Sequence, residues 1–112
     1  MRDVPVHDTA AQVLDGRTAT SVTRRLVQTA IAGGLRPHLE AGTWHGLYRV
    51  MLDYPSRGGL FGCLHVSARN GNVVRANLCH GNAGVERTHR KVQEIRVVLS
   101  SWAALERDRG AR

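Results

Sequence analysis

A chain of 112 residues with a single lysine, two cysteines and no long uninterrupted apolar run leaves several protein classes aside. A spanning helix needs about 20 apolar residues; none is present, and a soluble domain is expected. Cys63 and Cys79 are too few for a disulfide framework and are expected to be thiols in a reducing compartment. The start, Met1-Arg2-Asp3, lacks the apolar core of a secretory leader, and no lipidation box occurs, so a cytoplasmic protein is expected. Gly58-Gly59 and Gly81 to Gly84 lack the Gly-Lys-Ser/Thr continuation of a phosphate-binding P-loop, and they read as turns. Internal repeats and low-complexity segments are absent too.

What is there suits one folded domain. A hydrophobic content of 42% and a charged content of 22% are ordinary for globular proteins. At this length a chain buries roughly two-thirds of its unfolded surface without disulfides. The net charge is +7, and fifteen of the sixteen basic residues are arginine. A GC-rich coding genome accounts for that bias as well as phosphate recognition does. Residues 1–56 hold six arginines against five acids, whereas residues 57–112 hold ten basic groups against four acids. An electropositive second half draws polyanions, which makes nucleic acid, DNA or RNA, the leading partner class.

Residues 1–17 show no clean period and read as a loosely ordered arm with at most a short helical turn around Ala10 to Leu14. The remainder, 18–112, reads as a single α+β domain. Val22, Leu26, Val27, Ala30 and Ile31 recur at three- and four-residue steps, predicting a helix near 19–32. Thr18 or Thr20 can cap its start and Gly33-Gly34 can stop it. Residues 35–43, with Pro37 and Gly42, read as a connection. The period then becomes two, predicting strands near 46–54, 60–68 and 73–80. Thr88 is placed to cap a last helix near 88–107, with Val92, Ile95, Leu99 and Trp102 as its buried stripe.

The expected fold is therefore helix, three-stranded antiparallel sheet, helix, with both helices on the Val50/Leu64/Leu78 side and one sheet face open. Asn70-Gly71 is the strongest hairpin signal. A two-residue loop there would set Leu64 opposite Asn77, which is wrong for burial. A three-residue loop, Asn70 to Asn72, sets Leu64 opposite Leu78, Cys63 opposite Cys79 and His65 opposite Asn77, and this register is the expected one.

The open face would display Arg49, Met51, Cys63, His65, Ser67, Arg75 and Asn77. A solvated face is the plain alternative to a functional one. In a nucleic-acid interface, arginine reaches phosphates or guanine edges and asparagine reaches adenine. Arg90-Lys91 at the start of the last helix is a second basic feature, where the helix dipole favours a phosphate. Cys63, His65 and Cys79 could converge on zinc, but a structural site wants four ligands and no fourth is evident, so no metal is expected. A Cys63–His65 or Ser67–His65 dyad lacks a nucleophile elbow and an oxyanion hole, so neither an enzyme nor a cofactor is expected. Six histidines, at 7, 38, 45, 65, 80 and 89, show no ligand spacing. Trp44, Tyr48 and Trp102 suit the core better than a stacking platform, Trp44 least so.

The order helix, three strands, helix resembles, in topology alone, double-stranded-RNA-binding domains and small toxins of that layout. In the RNA-binding family a basic cluster starts the second helix, where Arg90-Lys91 stands. Residues 55–59 lack that family's histidine pattern, and the lysine cluster is reduced to one pair. A looser likeness is to the arm-binding domains of phage integrases, which present three strands to DNA. Neither is a sequence match, and no functional residue is carried over. The expected function is nucleic-acid binding by Arg49, His65, Arg75, Asn77, Arg90 and Lys91. The alternative is a non-enzymatic protein-interaction module, a homodimer or an adaptor for an acidic partner.

Overall fold

The structure is a computed structural model that describes residues 7–54, 59–80 and 85–110. Among these residues the order is α1 (His7–Leu14), α2 (Ser21–Ala32), β1 (Arg36–Leu39), β2 (Leu47–Asp53), β3 (Leu60–Ser67), β4 (Val73–His80), β5 (Val85–His89) and α3 (Val92–Gly110). The strands form one antiparallel sheet in the order β1-β2-β3-β4-β5.

The α+β class stands, but the three-stranded sheet is corrected to five strands, and the likeness in topology to the three-stranded families goes with it. Both additional strands are edges. β1 carries Pro37, which cannot donate to a ladder and is tolerated at an edge. β5, Val-Glu-Arg-Thr-His, has no apolar alternation. Thr88 lies inside β5 and does not cap α3, which starts at Val92. The expected turn at 55–58 and the loop at 81–84 lie outside the described residues.

Tyr48, Val50, Leu52, Leu64, Val66, Ala76 and Leu78 form the buried side of the sheet, packed against Leu26, Val27 and Ala30 of α2 and Ile95, Leu99 and Trp102 of α3. Ala10 and Leu14 of α1 join the same cluster. Thr20 caps α2, its hydroxyl accepting from the Thr23 amide at 3.3 Å. Within α2 the inward position expected for Val22 falls to Thr23, which is fully buried while Val22 is exposed. The Thr23 hydroxyl donates to the Gly71 carbonyl at 2.7 Å, and the Thr20 amide donates to the same oxygen at 3.0 Å.

That contact explains the second correction. Cys63 pairs with Asn77, Leu64 with Ala76 and His65 with Arg75, a slide of two residues from the expected register. Cys63 therefore does not face Cys79, whose partner is Glu86, and both cysteines are free. A two-residue slide leaves the side chains from Gly62 to His65 and from Arg75 to Leu78 on their expected faces. The loop is longer than expected because Ser67 organises it: its hydroxyl accepts from the Arg69 and Asn70 amides, both at 3.2 Å. Gly71 then adopts a φ of 77° and docks on α2. An irregularity at His65/Val66 sets Val66 opposite Val73, so Val73 packs on the core and Val74 is exposed.

Candidate functional site

No helix of the described residues covers the other side of the sheet, where the ladders assemble rows of side chains. Arg49 pairs with His65 and His65 with Arg75, so the three lie side by side across β2, β3 and β4. Because Ala76 pairs with His89, Arg90 leaves β5 level with Arg75. Arg90 and the following Lys91 are exposed. The sheet face and the start of α3, two separate candidates in the sequence, thus adjoin. A neighbouring row runs Met51, Cys63, Asn77 and Thr88. Here Thr88 donates its hydroxyl to Asn77 Oδ1 at 2.9 Å and holds that amide.

His65 is only 4% exposed, and Cys63 is buried beside it. The Cys63 sulfur lies 3.3 Å from His65 Nε2, and the Asn77 amide nitrogen lies 3.5 Å from the same ring atom. His65 Nδ1 is buried and has no hydrogen-bond partner among the described residues. Burial holds the imidazole below its ordinary pKa, with the Arg75 and Arg49 charges adding to the effect. Burial also pushes the Cys63 thiol up, against the opposing pull of Arg49. The pair consequently stands as a thiol and a neutral imidazole, and an activated thiolate would need the opposite shifts. Among the described residues no group of three or more histidine, cysteine or acidic side chains could hold a metal.

Among the described residues three acids stand on this face: Glu40, Asp53 and the exposed Glu86, which faces Cys79 on β5 and whose charge helps to push the Cys63 thiol up. Glu40 pairs with Arg49, and Asp53 pairs with His38 at 2.9 Å. At the start of α3, Glu94 occupies the first turn and its carboxylate lies 3.4 Å from His89 Nδ1. An acid there competes with a phosphate for the helix terminus.

Sequence reasoning also placed Trp44 wrongly. It is 57% exposed, whereas Tyr48 and Trp102 are core. The backbones of Trp44 and Leu47 exchange two hydrogen bonds, of 2.8 and 3.0 Å, around the two-residue turn His45-Gly46. Both turn residues have positive φ, 51° and 74°, the signature of a type I′ turn. Leu47 lies in the same alternate series of β2 as Arg49, so its partner Trp44 stands on the helix-free side. A pocket of about 440 Å³ opens there, lined by Glu40, Thr43, Trp44, Leu47 and Arg49 among others. The signal available in sequence was a His-Gly pair flanked by Trp44 and Leu47.

Comparison of the chain with models of protein families, with curated proteins and with solved structures returned no match. Among the described residues no helix is long and apolar enough to cross a membrane.

Proposed function

We propose that the protein binds nucleic acid, using the helix-free face of its sheet. The observation that carries this reading is that Arg49 and Arg75 flank the buried, neutral His65 in one row, which Arg90 and Lys91 continue. Guanidinium groups in such a row meet successive phosphates of a polyanion, and Asn77 one row away offers an amide for a base edge. A rigid antiparallel sheet holds these groups in place without ordering a loop on binding. Glu40 lowers the free charge of Arg49, but an exposed ion pair is worth only about 0–1 kcal/mol and yields to a phosphate. The cytoplasm, where the free thiols of Cys63 and Cys79 persist, is the compartment assigned with this function.

The test is a titration of the full chain with oligonucleotides over a range of salt. Each phosphate contact releases counterions, so affinity should fall steeply from low to moderate salt. Arg49→Ala and Arg75→Ala should each weaken binding and reduce the logarithmic salt slope by about 1. The pair Arg90→Ala, Lys91→Ala should have a smaller effect, because Glu94 already occupies that helix terminus. Binding that is undetectable at low salt, or indifferent to salt, overturns the reading.

One observation favours protein contact as a second reading. Val97 is 59% exposed and lines a cleft of about 280 Å³ with His89, Gln93, Glu94 and Val98, beside β5, which is an edge strand of the sheet among the described residues. Pull-down with and without nuclease separates the two: partners that survive nuclease support the protein-interaction module.

A further inference from the structure

Resting on the nucleic-acid reading, we infer that the pocket beside Trp44 is a base-stacking subsite and that the ligand is a single strand, not a duplex. Trp44 offers an indole to solvent from a backbone that is fixed. The type I′ turn pins it through two hydrogen bonds to Leu47, and the Ala68 amide ties the turn to the β3–β4 loop by donating to the Gly46 carbonyl at 2.9 Å. The His45 ring meets the indole edge-on, with centroids 4.2 Å apart and planes at 79°. An exposed aromatic on a rigid turn presents a flat apolar surface with little entropy left to lose on binding.

The charges around the pocket sort a nucleotide into its parts. Glu40 lies in the wall and disfavours a phosphate inside, while an uncharged base meets Trp44 and Leu47 without that penalty. Arg49, on the same wall, leads from the pocket across the buried His65 to Arg75, whose guanidinium can meet a phosphate. Arg69, exposed in the loop tied to the turn, adds a positive charge at the same end of the sheet. The volume of about 440 Å³ lies within the range of small-ligand sites, roughly 300–1,000 Å³. In a duplex both faces of each base are already stacked, and only a single strand can turn a base onto an indole.

Fluorescence anisotropy of the full-length chain decides the matter, with a labelled oligothymidylate of about twelve nucleotides, a length that fits one small domain, and a duplex of the same length. Wild type should bind the single strand on the order of ten-fold more tightly than the duplex. Trp44→Ala should remove most of that advantage and leave duplex binding unchanged, and Trp44→Phe should restore part of it. Thermal melts should show both variants as stable as wild type, since the indole is exposed. If Trp44→Ala binds the single strand as wild type does, or loses affinity for both ligands equally, the stacking subsite is overturned while nucleic-acid binding stands. If wild type binds neither ligand at low salt, the underlying reading fails first.

Discussion

His65 lies between two arginines, almost fully buried, with one ring nitrogen unpartnered among the described residues. Such an arrangement favours the neutral ring, because burial and then the Arg75 and Arg49 charges all oppose protonation, with only Glu40 acting the other way. The sign of the pH effect follows. In the unfolded chain a histidine titrates near about 6.5, while in the folded protein the value lies lower. Above the unfolded value both states are neutral and stability is intact. As pH falls through it and then through the folded value, the unfolded chain takes up the proton first and stability is lost. Urea midpoints across this window should drop more for wild type than for His65→Gln. Parallel profiles for the two proteins would mean that His65 does not titrate differently on folding. His38 and His89, which face Asp53 and Glu94, are common to both proteins and cancel in the comparison.

Among the elements, the hinge of the architecture is the short loop between β3 and β4, because it sets both the register and the seat of α2. Gly71 is required there twice. Its φ of 77° disfavours any side chain, and an added Cβ would come within 2.7 Å of the Ala19 backbone. Left-handed backbone costs an L-residue about 1–2 kcal/mol, and forcing atoms into a packed contact adds about 1–3 kcal/mol. Gly71→Ala should therefore destabilise the domain by several times what an exposed substitution does, read as a fall in the denaturation midpoint at unchanged slope. A neutral result would show that the loop can lift off α2. This loop also marks the boundary of what was legible in the sequence. Strands β2, β3 and β4 announce themselves because each turns alternate apolar residues to the core, which writes a period of two into Tyr48, Val50 and Leu52 or Leu64 and Val66, although β3 is buried along both faces from Phe61 to Val66. Strands β1 and β5 bury too little to leave that trace. The register depends on Thr20 and Thr23 gripping a carbonyl some fifty residues away, a contact that no local pattern encodes. Arg49, His65 and Arg75 could be assigned to one face by parity alone. Trp44 could not, since its direction is set by the turn after it.

For the molecule as a whole, the uneven charge of the sequence does not divide the fold. β2 from the nearly neutral half lies against β3 from the basic half, and α2 and α3 share one core cluster. The proposed binding groups on the helix-free face and the stabilising groups beneath the other are thus separated by the thickness of one sheet, and their energetics should separate too. Leu99 is fully buried, and Leu99→Ala should cost about 2–5 kcal/mol through lost transfer energy and a cavity. That is a large part of the roughly 5–15 kcal/mol total of a domain. Arg75→Ala, on the half-exposed face, should move stability by about 0.5 kcal/mol or less. Linkage provides a reciprocal readout, because a ligand at a hundred times its dissociation constant stabilises the folded state by about 2.7 kcal/mol. Thermal melts with and without a single-stranded oligonucleotide should then cross. Leu99→Ala should melt low and recover several degrees on adding the ligand, while Arg75→Ala should melt as wild type does and gain less from it. Should Arg75→Ala gain as much as wild type, the ligand does not lie across the centre of the sheet, and the helix-free face is not where this protein meets it.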